Sequence, residues 1–352
     1  MITWFLLVMR RKCLSTATSW SHFTAHLVGM LHCAASSDAG SRSVLSATGP
    51  RGLNVGAGGG RESGVIFVMA KVETNGSRDV MQYVASDDVE QAIAAIVSDG
   101  CVVLENAVSE SEAAELAELV LSSPTRSPGV SGYEFVVCLM NHDLRFLKLA
   151  MHPTVLELAR HQLGGRTEPA PNAFAWPAEH QILLGSVDGL VAHSGSDPGW
   201  WHMDSPMGQL NQSRPLPDFP ILVNTIWMLT PFREETGATR VLPGSQHFRH
   251  LPPATQEALE GQLHCCAPPG SVVVLPNTVW HAAGTNQTQQ PRVAVACNYQ
   301  PWWVGRLTMD AYPIDREVWE KLPPKAQALT KHQLGWNSDF HGEVTNTSAG
   351  EE

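Results

Sequence analysis

The run VVVLPNTVWH, residues 272–281, decides how this chain folds, because four apolar residues of strand type lead into a histidine. A β-branched run of this kind is typical of a buried β-strand. A second run, WWHMDS at residues 200–205, places His202 and Asp204 two positions apart. Residues i and i+2 of a strand point to the same face. The two runs therefore predict that His202 and Asp204 from one strand meet His281 from another.

From about residue 180 onward the chain consists of short apolar segments separated by turns rich in proline and glycine. This pattern is typical of a β-sandwich or β-barrel. The predicted strands are Gln181–Leu184, Gly199–Asp204, Leu222–Leu229, Ala238–Leu242, Ser271–Leu275 and Pro291–Tyr299. An earlier strand is predicted at Cys101–Leu104.

Helical signals come before the strands. Capping residues begin two helices, at SDDVE (residues 86–90) and at SESE (residues 109–112). A third helical segment near Arg145–Gln162 is interrupted by Pro153. Helices first and strands later predict a mainly β protein with flanking helices packed outside a barrel.

The residue types at the predicted meeting point indicate a metal site. Two imidazoles and one carboxylate form the facial triad that holds a non-haem Fe(II) and leaves coordination positions open. Arg292 follows the polar turn GTNQT, residues 284–288. We expect a hairpin centred on that turn, which would place Arg292 beside His281. A guanidinium there offers a bidentate clamp for a carboxylate co-substrate.

Three segments give the chain a resemblance to the phytanoyl-CoA dioxygenase family of Fe(II)- and 2-oxoglutarate-dependent oxygenases. They are WHMD at 201–204, ETGATRVLPGSQH at 235–247, and WHAAG at 280–284 together with Arg292. The middle segment is similar to the family's E-N-G…P-G-S-H pattern, with Thr236 in place of asparagine and Gln246 inserted before the histidine. The resemblance covers roughly residues 85–310.

The resemblance implies a fold, a set of cofactors and a role for individual residues. The implied fold is a double-stranded β-helix (a jelly-roll, cupin-like barrel). The implied cofactors are Fe(II), 2-oxoglutarate and O2. The implied iron ligands are His202, Asp204 and His281, and the implied co-substrate contacts are Arg292, Thr239 and Gln181. Because the carboxylate is present, the resemblance favours hydroxylation or another oxidation over halogenation.

The expected activity is oxidation of an unactivated C–H bond of a small organic substrate, with release of succinate and CO2. Two other functions stay open: a non-catalytic jelly-roll sensor of metal or 2-oxoglutarate, and a cupin-like metal hydrolase or isomerase. A coenzyme A substrate would favour a basic entrance, yet the arginines in this half form no evident cluster. They are Arg214, Arg233, Arg240 and Arg249. A small hydrophobic or natural-product substrate is therefore favoured.

Charge and cysteine usage limit the partners and the compartment. The net charge is −11 over 352 residues. Basic residues outnumber acidic ones in the first seventy positions, so the negative charge lies in the body of the chain. An acidic body argues against binding a nucleic-acid backbone. The odd number of cysteines, seven, suits a reducing compartment.

The first residues differ in composition from the rest. Residues 1–75 are expected to be a disordered leader, either an organelle transit peptide or a segment upstream of a true start at Met69. Its apolar run is too short to span a bilayer, so no integral membrane segment is expected. The protein is then cytoplasmic, or organellar if the leader is a transit peptide. The catalytic domain is predicted at 76–340 and a disordered tail at 341–352; the pattern makes no prediction of oligomeric state.

Overall fold

Two β-sheets with flanking helices make up the described part of the chain. A computed structural model of the protein describes residues 80–124, 126–128, 132–164, 181–204, 207, 215–304 and 314–330. The predicted leader, 1–75, and the predicted tail, 341–352, lie outside these residues. The strands are β1 Tyr83–Ala85, β2 Val102–Glu105, β3 Arg126–Pro128, β4 Tyr133–Val136, β5 Ile182–Ala192, β6 Val223–Met228, β7 Arg240–Val241, β8 Leu263–His264, β9 Val272–Pro276, β10 His281–Ala282 and β11 Arg292–Pro301.

The strands divide between a large and a small sheet. The large sheet has the spatial order β1-β2-β9-β6-β11-β5-β4-β3, and the small sheet has the order β10-β7-β8. Neighbours in both sheets run antiparallel, except for the parallel pair β1 and β2. The predicted mainly β class with flanking helices is confirmed.

The first two helices begin where the sequence places capping residues. The helices are α1 Val89–Asp99, α2 Glu110–Ser122, α3 Leu139–His142, α4 Leu147–Ala150, α5 Pro153–Leu163, α6 Arg316–Trp319 and α7 Pro324–Thr330. Asp88 caps α1 by accepting from the backbone N–H of Gln91, and Ser109 forms a reciprocal capping box with Glu112 in α2. Pro153 is in the first turn of α5, which explains the interruption expected there. None of the described helices is long and apolar enough to cross a lipid bilayer.

Alternation along β11 separates two cores. Its odd-numbered residues, from Val293 to Tyr299, pack with the apolar faces of α1, α2 and α5. Ala294, on the opposite face, packs in a second cluster with residues of both sheets, among them Val241 of β7 and Val273 of β9. The large sheet therefore has helices on one face and the small sheet on the other.

The predicted hairpin between the strands of His281 and Arg292 is wrong. β10 belongs to the small sheet and β11 to the large one, so these strands do not pair. The chain leaves the large sheet after Pro276, which ends β9, and turns before His281. Asn286 is fully buried and donates to the carbonyls of Ala192 and Gln290. These bonds hold the connecting loop against β5 and lead the chain back to the large sheet.

Gly270 gives a test of this packing. Its φ is +88°, and a methyl group on its Cα would overlap the carbonyl oxygen of Val108. Gly195 has a similar φ of +72° but nothing within 4 Å of the same position. Gly195→Ala should therefore cost about 1 kcal/mol of unfolding free energy, and Gly270→Ala about 3 kcal/mol or more. Urea unfolding of both variants measures the difference. Equal losses of unfolding free energy would contradict the close approach of the Val108 carbonyl to Gly270.

Candidate metal centre

Three side chains that are distant in sequence converge at one point. The possible ligand atoms of His202, Asp204 and His281 all lie within 4.8 Å of one another. Asp204 Oδ1 is 3.9 Å from His202 Nε2 and 3.6 Å from His281 Nε2. The two imidazole rings have centroids 4.2 Å apart and are tilted by 50°. The structure thus brings together the three residues that the sequence analysis predicted as metal ligands.

A pair of backbone hydrogen bonds sets this arrangement. The N–H of His202 donates to the carbonyl of His281, and the N–H of His281 donates to the carbonyl of His202, each at 3.0 Å. The predicted strand Gly199–Asp204 is therefore present only as an isolated antiparallel bridge at His202. Directly paired residues of antiparallel segments point to the same face. For this reason the two imidazoles lie side by side.

The neighbours of the two histidines anchor the opposite face. Trp201 and Met203 flank His202, and Trp280 and Ala282 flank His281; all four are buried in one apolar cluster. Trp201 Nε1 also donates to the carbonyl of Glu257 at 2.8 Å. Because side chains alternate along extended backbone, burial of the flanking residues directs the polar residues toward the site.

The hydrogen bonds of the rings determine which nitrogen faces the centre. His202 Nδ1 donates to the carbonyl of Trp200 at 2.8 Å, and His281 Nδ1 donates to the carbonyl of Val279 at 3.1 Å. With the proton on Nδ1, the Nε2 lone pair of each ring is left for a ligand. Desolvation by the surrounding protein and the adjacent ring of His281 lower the pKa of His202, although about half of its side chain stays exposed, so at neutral pH this imidazole is uncharged.

Asp204 is oriented by a residue that the sequence analysis missed. Asn224, in β6, donates from Nδ2 to Asp204 Oδ2 at 3.1 Å. Oδ1 is left facing the two histidines. The signal in the sequence was an amide inside the mainly apolar segment LVNTIWML, residues 222–229. Only the folded structure shows that this amide lies against the carboxylate.

The middle segment of the resemblance braces the strand that carries His281. The Ser245 hydroxyl accepts from the N–H of Trp280 at 2.9 Å and donates to the carbonyl of Leu242 at 2.6 Å. Leu242 in turn donates its N–H to the carbonyl of Trp280 at 3.0 Å. Ser245 is fully buried, so these bonds are shielded from water. The segment therefore holds β10 in register from behind rather than contributing a ligand.

Arg292 is buried at the start of β11. Its guanidinium lies 4.6 Å from the ring centroid of Phe232 and 6.0 Å from that of Tyr133. The Tyr133 hydroxyl donates to the carbonyl of Gly284 at 2.7 Å. Within the described residues no carboxylate pairs with Arg292, and burial lowers its pKa. A buried cation without an anion is typical of a site that receives an anionic ligand.

The structure places the two remaining predicted residues differently. Thr239 is buried and lies two positions before Val241, which pairs with His281. By alternation Thr239 shares the face of His281. Gln181, by contrast, is not brought to the site. β5 is longer than predicted, so Gln181 lies about 36 Å of strand away from Ala192, the residue that pairs with Arg292.

The family model for phytanoyl-CoA dioxygenase (PhyH) matches residues 96–294, more than half of the chain. The chain therefore belongs to the phytanoyl-CoA dioxygenase family. It is similar to the dioxygenase andF of Emericella variicolor, with 29% identity over 43% of this chain and 50% of that protein. It is also similar to the iron/alpha-ketoglutarate-dependent dioxygenase penM of Penicillium thymicola, with 28% identity over 47% of this chain and 51% of that protein. The chain spans about half the length of these curated relatives.

Solved structures give more distant likenesses. One is HygX from Streptomyces hygroscopicus with nickel and 2-oxoglutarate bound, at 14% identity and a TM-score of 0.47, covering 60% of this chain and 86% of that one. Another is the epimerase SnoN in complex with Fe3+, alpha ketoglutarate and nogalamycin RO, at 19% identity and a TM-score of 0.46, covering 60% and 83%.

Replacing Ser245 tests its bracing role. Ser245→Ala would leave the buried N–H of Trp280 without an acceptor, which should lower the unfolding free energy of the metal-free protein by about 1–3 kcal/mol. Ser122→Ala is the control, since among the described residues that exposed hydroxyl bonds only to Leu119 within its own helix. Its effect should stay within about 0.5 kcal/mol. Equal losses of unfolding free energy in the two variants, measured by urea unfolding, would rule out the bracing role of Ser245.

Proposed function

We propose that this protein is an Fe(II)- and 2-oxoglutarate-dependent dioxygenase acting on a small organic substrate. It would oxidise an unactivated C–H bond, consume O2, and release succinate and CO2. The observation that carries the proposal is the cluster of His202, Asp204 and His281 in a chain of this family. The buried Arg292, which has no carboxylate partner in the described residues, supports a dianionic co-substrate.

The donor set fits a non-haem iron. Two imidazole nitrogens and one carboxylate oxygen are the ligands of a facial triad, which leaves three positions on an octahedral ion. With bonds of about 2.1 Å, adjacent donors on such an ion are about 3.0 Å apart. The observed separations of 3.6 and 3.9 Å from Asp204 Oδ1 need only small side-chain rotations to reach that spacing.

Each residue would have a defined task. His202, Asp204 and His281 would hold the iron, and bound iron with 2-oxoglutarate would supply the oxidising chemistry. Arg292 would pair with the far carboxylate of 2-oxoglutarate, held in place by the rings of Phe232 and Tyr133. Thr239 is proposed as a further co-substrate contact. The buried apolar cluster behind the histidines would keep water from the ligands on that side.

The arrangement of the sheets favours the fold implied by the resemblance. Arg292 of the large sheet and His281 of the small sheet both border the second apolar cluster, which lies between the sheets. We infer a double-stranded β-helix with the metal centre between its two sheets. The catalytic domain is proposed to occupy 76–340.

Arginine placement favours a substrate other than a coenzyme A thioester. Arg240 is buried and donates to the carbonyls of Gln256 and Gly199. Arg233 pairs with Glu235, and Arg249 with Asp218. Arg214 lies outside the described residues. The three described arginines are thus engaged within the chain, which supports a small hydrophobic or natural-product substrate over a phosphate-rich one.

Anaerobic titration of the full-length protein with Fe(II) and 2-oxoglutarate tests the proposed centre. We expect the weak visible metal-to-ligand charge-transfer band to develop, and to be lost in His202→Ala, Asp204→Ala and His281→Ala, because each removes one of three ligands. Ser122→Ala should keep the band. A folded wild-type protein without the band would favour a different metal chemistry, such as a hydrolase or isomerase. A band without oxygen-dependent succinate release across a substrate panel would favour the sensor.

Arg292 has a separate test. Arg292→Leu removes the guanidinium from a buried site, so 2-oxoglutarate should bind at least about 10-fold more weakly while Fe(II) affinity is kept. The charge-transfer band, followed as a function of 2-oxoglutarate concentration, gives the affinity. Arg233→Leu, which removes an exposed arginine, is the control and should behave as the wild type. Unchanged co-substrate affinity in Arg292→Leu would exclude the proposed clamp.

A further inference from the structure

Asn224 hydrogen-bonds to Asp204 of the metal centre, which lies in a different segment of the chain. It is the second residue of β6, and its side chain is only 9% exposed. Its Nδ2 donates to Asp204 Oδ2 at 3.1 Å. Asp204 itself lies outside any regular strand, two residues after the His202 bridge. The large sheet therefore holds a carboxylate whose own backbone lacks a strand partner at this position.

The hydrogen bond distinguishes the two oxygens of Asp204. Oδ1 faces His202 Nε2 and His281 Nε2, whereas Oδ2 accepts from Asn224. Rotation of the carboxylate would exchange these oxygens or offer both of them to a metal ion. An amide donor on Oδ2 opposes that rotation, and partners of this kind orient metal ligands and affect metal affinity.

We propose that Asn224 is a positioning residue that holds Asp204 as a one-oxygen metal ligand through Oδ1. This inference rests on the proposed function, because it takes Asp204 to be a ligand. By keeping Oδ2 away from the ion, Asn224 leaves the open coordination positions to co-substrate and O2. The residue acts through Asp204 and is not itself a ligand.

Packing alone does not explain an amide at this place. The strand VNTIWM, Val223–Met228, is buried along its whole length. Asn224 Oδ1 is buried and has no hydrogen-bond partner within the described residues. A buried acceptor without a donor is unfavourable. An apolar side chain would therefore suit the strand at least as well. The contribution of the amide is its hydrogen bond to Asp204.

The neighbouring strand offers a matched control. Asn298 of β11 pairs directly with Asn224, so the two amides lie on the same face of the sheet. Asn298 Nδ2 donates to Ser186 Oγ at 2.9 Å and not to a metal-site carboxylate. Replacing Asn298 thus removes a similar amide from a similar place without releasing Asp204.

The test is titration of the metal-free, full-length protein with Co(II), an air-stable probe, by isothermal calorimetry. Asn224→Leu and the smaller Asn224→Ala should bind Co(II) about 10- to 100-fold more weakly than the wild type. Asn298→Leu should stay within about twofold. Asn224→Leu and Asn298→Leu make the same exchange on the same face of the sheet, so their metal-free melting temperatures should be similar while Co(II) affinity falls only in Asn224→Leu, a combination that a purely structural role would not give.

The outcomes separate the inference from the proposed function. If the wild type fails to bind Co(II), the metal centre is wrong and the inference fails with it. If the wild type binds and both Asn224 variants bind equally well, the inference alone is overturned. It is also overturned if Asn298→Leu weakens Co(II) binding as much as Asn224→Leu, because the loss would then reflect damage to this face of the sheet and not the release of Asp204.

Discussion

The reciprocal backbone hydrogen bonds between His202 and His281 are the constraint on which the site depends. They join two segments that are almost eighty positions apart, one of them only two residues long as a strand. Two hydrogen bonds contribute little by themselves, since each exchanges water for protein partners. The apolar cluster behind them, with Trp201 and Trp280, excludes water and holds both segments in register. A shift by one residue would turn the imidazoles into that cluster.

The hydrogen bonds of the two histidines and the burial of Arg292 determine the electrostatics of the site. His202 and His281 each use one nitrogen on a backbone carbonyl, so their free nitrogens face Asp204 with a fixed proton arrangement. Arg292 is held by aromatic rings rather than by an acid of the described residues. The buried guanidinium is thus left without a compensating charge, which is unfavourable in the free protein. A ligand that brings carboxylates would relieve this imbalance.

Local signals in the sequence predicted local structure well. The capping residues Asp88 and Ser109 fixed two helix starts, because caps act within one turn. The spacing of His202 and Asp204 predicted that both side chains reach one site, although Asp204 lies outside a regular strand and is oriented by Asn224. The hairpin to Arg292 failed because the chain changes sheets after Pro276, and a turn sequence does not reveal which sheet follows it.

Two other residues show the same limit. Gln181 was misplaced because the length of β5 depends on its pairing with β11 over nearly the whole strand. Asn224 carried only a weak signal, since the partner of a buried amide is set by tertiary packing.

The candidate ligands come from separate parts of the fold, and this has a consequence for folding. His281 belongs to the small sheet, His202 and Asp204 to a segment outside both sheets, and the amide that orients Asp204 to the large sheet. An ion held by these side chains would connect all three parts. Anything that binds only the folded state stabilises it by mass action. Because the donors face one another across these parts, binding of such an ion and the docking of the two sheets would be coupled, and each would favour the other.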